Sequence, residues 1–347
     1  MNTFSLLPTT PGKAPISAPT LAATDGDARF RALFARRPVV LAPMEDVSDA
    51  AFRRLCRARG AELCVTEFVH VERLLGGCRR AQRKIQLSPD DRPTAIQIYG
   101  ADAARLSEAA AAAEAAEPTF IDINCGCWVP RIARKGTGAA WLRDPGAMVA
   151  MAAMVVKATK LPVTVKTRVA WDAASSPPIV ELARRLEGVG VRALTIHCRT
   201  ATMGLTGEAD WSWAARARAV VSIPILVNGN VRSAEDARRA IEQTGCEGVM
   251  IGTRAIEHPW IFRECRALLD HGIVLPPPSV QERLSLYREH LAANIARRGE
   301  QPGVHCTRRH LPGYLHGLPD AEDLRRSLNA TDTHEGCLAV LERRRAS

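Results

Sequence analysis

Short apolar runs rich in β-branched residues recur along the chain at 39–44, 63–68, 95–99, 120–124, 163–166, 193–197, 224–228 and 248–252. Each is bounded by polar, Gly or Pro residues, which predicts short strands buried on both faces. The intervals between them carry helical spacing, as at 49–59, at the Ala-rich 101–116 and at 233–243. In the last of these, Ser233 is placed to cap the helix and Gly245 to end it. Strand alternating with helix predicts a parallel sheet. Eight such units predict an α/β fold closed into a (β/α)₈ TIM barrel, with an open doubly wound sheet as the weaker alternative.

The strand signal stops after His271-Gly272. Pro276-Pro277-Pro278 is stiff punctuation, and Ser279 with Glu282 reads as a capping box. The helix that this box opens carries Leu284, Leu286, Tyr287, Leu291 and Ile295 on one face. The expected organisation is a disordered N-terminal extension over 1–28, a barrel over 29–272 and an all-helical C-terminal domain over 273–347.

In a barrel of this kind the chemistry lies at the C-terminal ends of the strands. The residues closing the runs are Pro43-Met44-Glu45, Glu67, Gln97, Asn124 through Cys127, Lys166, His197 with Arg199, Asn228-Gly229-Asn230 and Gly252-Thr253-Arg254. One polar strand end means little, but eight in register define a convergent site. The last two clusters read as a phosphate site, with Gly229 and Gly252 letting backbone N–H groups approach an anion; the competing reading is that both glycines only serve tight turns. No GxGxxG follows the first strand and no GxxxxGK[ST] occurs, so neither a Rossmann site nor a P-loop is indicated. A lysine closing an apolar strand is costly unless it meets an anion or a polar ring. Flavin suits Lys166, because its reduced ring is anionic, and Gln97 suits the ring's amide edge. His197, beside Arg199, reads as a ligand or phosphate contact, against the commoner fate of a satisfied core histidine. Cys127 falls on the loop past the fourth strand, while Cys125 falls within the strand end.

Charge adds a partner to this picture. The net charge is +10 and the isoelectric point about 9.4. The charge gathers at Arg131, Arg134 and Lys135, at Arg297-Arg298, at Arg308-Arg309 and at Arg343-Arg344-Arg345. Such clusters are the electrostatic footprint expected for a phosphate backbone. No run of 18 apolar residues predicts a membrane span, and the N-terminus has no secretory pattern. Ten scattered cysteines without zinc-type CxxC pairs predict a reduced, cytoplasmic chain with no metal.

Taken together, these segments resemble the tRNA-dihydrouridine synthase family. The resemblance is carried by LAPMEDVSDAAFRRL from Leu41, AIQIYG from Ala95, DINCGC from Asp122 and KGTGAAWL from Lys135. It continues with PVTVKTRVAWD from Pro162, LTIHCRT from Leu194, LVNGNV from Leu226, VMIGTRAIEHPWIF from Val249 and TRRHLPGYLHGLPDAEDLRRSL from Thr307. It implies an FMN barrel with a helical tRNA-binding tail, reduced by NADPH (or NADH) and acting as a monomer on uridines of tRNA. The flavin would pass hydride to carbon 6 of the uracil and Cys127 would protonate carbon 5. By motif, Pro43, Met44, Glu45, Gln97, Lys166, His197, Asn228, Gly229, Asn230, Gly252 and Thr253 would hold FMN. Asn124 would sit near the substrate base, and Arg131, Arg134 and Arg199 are the expected substrate contacts.

Three departures stand out. Trp128 follows Cys127 where the family usually has proline, arginines replace lysines at 131 and 134, and Gly252-Thr253-Arg254 replaces Gly-Arg-Gly. Two other readings compete. A small-molecule FMN oxidoreductase of the dihydropyrimidine or dihydroorotate type is disfavoured by the basic helical tail. A non-catalytic RNA-binding protein is disfavoured by the complete set of polar strand ends.

Overall fold

The structure is a computed structural model that describes residues 25–173 and 177–346. Nine strands are present among these residues: β1 (Val39–Leu41), β2 (Leu63–Val65), β3 (Val69–His70), β4 (Thr94–Tyr99), β5 (Ile121–Cys125), β6 (Val163–Arg168), β7 (Ala193–His197), β8 (Ile225–Asn228) and β9 (Gly248–Ile251). All pair in parallel, and the ring closes through β1–β9 and β2–β4. β2 and β3 both pair with β4, at Cys64↔Thr94 and Val69↔Ile98, so they are two pieces of one stave. Their break comes where Thr66 Oγ1 replaces a backbone acceptor for the Gln97 N–H, at 3.1 Å. Nine strands therefore make an eight-stave barrel, and the predicted run at 63–68 is the broken stave.

Alternation along each strand sorts the side chains. Val39 and Leu41 point into the layer between strands and helices, while Val40 points into the lumen. The lower lumen is filled by Val40, Leu63, Val65, Ala95, Phe120, Ala193, Leu226 and Met250. Helix α1 (Asp25–Ala35) closes this end by inserting Phe30 and Phe34; the Phe30 ring meets Phe34 at 5.2 Å and Phe120 edge-on at 5.4 Å. Burying each ring contributes about 1.5–3 kcal/mol. The extension expected over 1–28 is corrected at its inner end, because residues 25–28 already belong to this helix. Residues 1–24 lie outside the described residues.

The predicted caps are present. Ser233 Oγ accepts from the Asp236 N–H at 3.0 Å, and Gly245 ends that helix at φ +67. Ser279 and Glu282 form both bonds of the capping box that opens Val280–Arg298. Among the described residues every regular element from 280 onward is a helix.

The tail shares its core with the barrel. Leu284, Leu286, Tyr287, Leu291, Leu311 and Tyr314 belong to the same buried cluster as the outer faces of the strands. A Cβ on Gly313 would lie 2.1 Å from the Glu257 carbonyl oxygen, so only glycine allows the two backbones to meet there. Phe52, on helix α2 (Ala50–Arg57), packs against His310 at 4.6 Å and His290 at 5.6 Å. Buried Asp49 caps α2 and accepts from Arg298 at 2.5 Å, with Arg297 3.8 Å away. The charge pattern places Arg297 and Arg298 in the footprint expected for a polyanion. They dock the tail to the barrel instead, and Arg308 is likewise bound to Asp332 at 2.6 Å.

Candidate active site at the mouth of the barrel

The strand pattern that fills the lower lumen with apolar groups fills the upper lumen with polar ones. Strands β4 to β8 present Gln97, Asp122, Asn124, Thr164, Lys166, His197 and Asn228 on one alternating face, in neighbouring register. Their hydrogen bonds form a chain. Asp122 accepts from Thr164 and from Gln97 Nε2, the latter at 2.6 Å. Gln97 Oε1 accepts from Asn124 Nδ2 at 2.9 Å. Asn124 Oδ1 in turn accepts from the backbone N–H groups of Gly126 at 3.1 Å and Cys127 at 2.9 Å. A buried side-chain relay thus fixes the turn that carries Cys127. Burial raises the Asp122 pKa, against the opposing effect of its hydrogen bonds and of Lys166.

Glycine completes that turn from the other side. Gly138 has φ +63, and a Cβ there would lie 2.7 Å from the Cys127 carbonyl oxygen. The Lys135–Gly138 segment can therefore fold back onto Cys127, with the Ala139 N–H donating to the Cys127 carbonyl at 2.9 Å. The two candidate cysteines are separated by this geometry. Cys125 is fully buried in the outward layer and its pKa is raised far above the ordinary thiol value by burial. Cys127 is half-buried on the loop. Burial raises its pKa too, with the Val129 N–H and nearby Lys166 opposing. At neutral pH it is a thiol, able to give a proton.

Lys166 donates to Asn228 Oδ1 at 3.0 Å, and Asn228 Nδ2 donates to the Met250 carbonyl at 2.8 Å. Burial, and then the charge of Arg168, push Lys166 down to about 8. His197 is held neutral by burial and by the surrounding Arg168, Lys166 and Arg199. Arg199 is only 5% exposed. It donates to the Gly207 carbonyl at 2.7 and 3.1 Å, to Asn230 Oδ1 and to His197 Nε2 at 3.1 Å. The expected substrate contact at Arg199 is therefore a buried brace between two loops. Gly229 is required by the chain itself: φ is +105, and a Cβ would meet the His197 ring at 2.9 Å. At Gly252 the nearest atoms to a would-be Cβ are Ala42 Cβ at 3.6 Å and Met44 Sδ at 3.7 Å, so a Cβ there would make ordinary contacts and the position does not itself demand glycine.

The loop after β1 is set by Ser48, whose Oγ accepts from the Met44 N–H at 2.8 Å. Its Glu45 turns to Lys84 at 2.6 Å, and Lys84 also reaches Glu67 at 3.4 Å. Thr253 is exposed, and Arg254 faces Glu257 at 3.8 Å. Arg131, Arg134 and Lys135 are exposed on the segment that follows Cys127. With Tyr99, Phe68 and His70 they line a cavity of about 830 Å³ beside the mouth.

Arg168 was missed by sequence reasoning. Almost fully buried, it donates to the carbonyls of Gly126 at 2.9 Å, Thr200 at 2.7 Å and Gly204 at 2.8 Å. It clasps the Cys127 loop to the loop after β7. Asp122 and Thr164 were missed as working residues too. The available signal was parity: Asp122 precedes Asn124 by two, and Thr164, Lys166 and Arg168 are spaced by two on one strand.

A parallel eight-stave barrel with a cation-rich, thiol-bearing mouth defines a barrel enzyme rather than a bare scaffold. The profile of the dihydrouridine synthase (Dus) family matches residues 40–346, and the chain belongs to that family, an enzyme class of flavin-dependent oxidoreductases. A protein of Pseudomonas aeruginosa named tRNA-dihydrouridine synthase B is 38% identical over 303 residues, covering 87% of this chain and 91% of its own. The protein of that name from Vibrio cholerae is 34% identical, covering 88% and 94%. A solved variant of NCR from Zymomonas mobilis aligns at TM-score 0.48 and 14% identity, over 71% of this chain and 90% of that one.

Proposed function

We propose that this chain is a tRNA-dihydrouridine synthase that reduces the 5,6 double bond of uridines in tRNA, with Cys127 as the proton donor. The observation that carries this reading is the Asp122–Gln97–Asn124 relay, which holds a protonated thiol at the mouth of a cationic lumen.

The residues present fit FMN. Lys166, Arg168 and Arg199 outnumber Asp122 in the upper lumen, which favours an anionic, phosphate-bearing group. Met44, Gln97, Lys166, His197, the Asn228–Asn230 turn, Gly252 and Thr253 would hold it, together with Pro43 and Glu45. When bound and reduced by NADPH, it supplies a hydride for carbon 6 of the uracil.

The chain's own part is orientation and protonation. Asn124 fixes the backbone of the turn that carries Cys127, and Cys127 gives its proton to carbon 5. Lys166 supplies positive charge to whatever bears electron density beside it. Arg131, Arg134 and Lys135 are free to take the phosphate backbone, and a uridine in a tRNA loop leaves its stack at modest cost. We place this activity in the cytoplasm, in a monomer. Among the described residues no helix is long and apolar enough to cross a membrane.

The test uses the full chain, because the tail shares the barrel core. Purified holoenzyme with NADPH is offered unmodified tRNA, free uracil and dihydroorotate. Dihydrouridine in tRNA alone supports the proposal. Turnover of the free pyrimidines without tRNA turnover would replace it with the small-molecule reading.

A further inference from the structure

Trp128 is one of the few large apolar side chains exposed on this molecule, at 37%. It directly follows Cys127. Three consecutive atoms of its six-membered ring, Cε3, Cζ3 and Cη2, lie equally at 3.2 Å from the position a Cβ on Gly204 would occupy. Equal distances to neighbouring ring atoms mean that Gly204 lies against the ring's face, not its edge. One face is thus seated on backbone, and the exposure falls on the rest of the ring. Leu205, next along and 58% exposed, extends the same apolar surface.

The seat is rigid. Arg168 donates to the carbonyl of Gly126, two residues before Trp128, and to the carbonyl of Gly204 beneath the ring. One buried guanidinium therefore fixes both halves of the contact. Gly204 adopts φ +60 and offers no Cβ, so the ring can lie flat on it. Nothing in the interior of the protein needs an indole here, since the ring is not part of the buried core.

A flat aromatic face on the residue next to Cys127, with Arg131, Arg134 and Lys135 exposed on the same segment, matches the arrangement that binds unpaired nucleotides: stacking for the base and cations for its phosphates. We propose that Trp128 is a stacking platform for the nucleobase that flanks the target uridine, and so a positioning residue that selects how the RNA strand enters the site. This rests on the reading of the substrate as RNA. Every base has a π face, so the platform favours an unpaired neighbour over a particular base.

The experiment compares wild type, Trp128→Ala, Trp128→Phe and Gly204→Ala, with Met154→Ala as the control for loss of an exposed apolar group elsewhere. Bound-flavin absorbance and the melting temperature establish that each variant is folded. Steady-state kinetics with unmodified tRNA transcript, and equilibrium binding of that transcript, are then measured. Removing one base stack raises KM and weakens binding by about tenfold in Trp128→Ala. Trp128→Phe keeps most of the stack, Gly204→Ala shifts in the direction of Trp128→Ala because its Cβ displaces the ring, and Met154→Ala changes neither quantity.

An unchanged KM and unchanged binding in Trp128→Ala overturn the proposal, as does a defect confined to flavin retention, which would make the ring a cofactor cover. If wild type forms no dihydrouridine at all, the functional reading fails, and the binding measurement alone then decides the platform. Weaker transcript binding in Trp128→Ala, but not in Met154→Ala, upholds it, and equal binding overturns it.

Discussion

The two halves of the barrel lumen are built by the same strands with the same alternation, yet they differ completely in chemistry. The lower half is closed by Phe30 and Phe34 against Val40, Leu63, Phe120, Leu226 and Met250. The upper half is wired through Asp122, Gln97, Asn124, Lys166 and Asn228. Each inward position lies two residues from the next, so a strand passes from plug to site in a single step. The difference teaches how stability and reactivity are divided in this chain. Apolar burial below holds the staves together, and this lets the groups above remain polar and charged although they too are largely buried.

That division is broken most directly by exchanging effects between the halves. Cys127→Ala is expected to lower dihydrouridine formation by about 10²–10⁴-fold, with the melting temperature and the flavin spectrum unchanged. If Cys125→Ala abolishes turnover and Cys127→Ala does not, the assignment of the proton donor is wrong. Phe34→Ala is expected to do the reverse. Removing a buried ring costs about 3–5 kcal/mol, read in urea unfolding, while turnover per folded molecule stays near wild type. A loss of turnover in folded Phe34→Ala would show that the plug also shapes the site.

A middle effect is expected at the relay. Asn124→Ala strands the N–H groups of Gly126 and Cys127 and one end of Gln97, and leaving a buried partner unsatisfied costs about 1–3 kcal/mol. Turnover should fall further than stability does, because the loop carrying the thiol loses its anchor. Equal stability with equal turnover would mean that Gly138 and Arg168 alone hold the loop.

Two pH effects sharpen the contrast. Lys166, pushed down to about 8, is charged below that pH and neutral above it. Turnover is therefore expected to decline as pH rises through about 8, before the thiol of Cys127 ionises, and Lys166→Met should remove that limb together with most of the rate. At the barrel–tail joint, burial pushes His290 down to about 4 and lowers His310 as well. The unfolded chain takes up these protons first, near the ordinary histidine value of about 6.5. Stability is thus complete above that value and falls as pH drops from 6.5 toward 4. Melting temperatures across this window should show the decline, and the pair His290→Gln and His310→Gln should reduce it, leaving the part that buried His197 contributes.

The arginines show that one sequence signal can have two structural outcomes. Arg131 and Arg134 are exposed beside the site. Arg199, Arg297, Arg298 and Arg308 carry the same sequence signal and are engaged within the protein. A side chain's formal charge is local information. Whether Asp49 lies 249 residues away in sequence and 2.5 Å away in space is not.

The sequence by itself determined the staves, the helices, their caps at Ser233 and Ser279, and the polar residue ending each strand, because periods of 2 and 3.6 and cap chemistry are properties of neighbouring residues. Only the tertiary structure decided that β2 and β3 form one stave, that α1 plugs the lower lumen and that the tail shares the barrel core. It also decided that Arg168 joins the Cys127 loop to the seat of Trp128. Those facts depend on register and approach between segments distant in the chain, which no local pattern records.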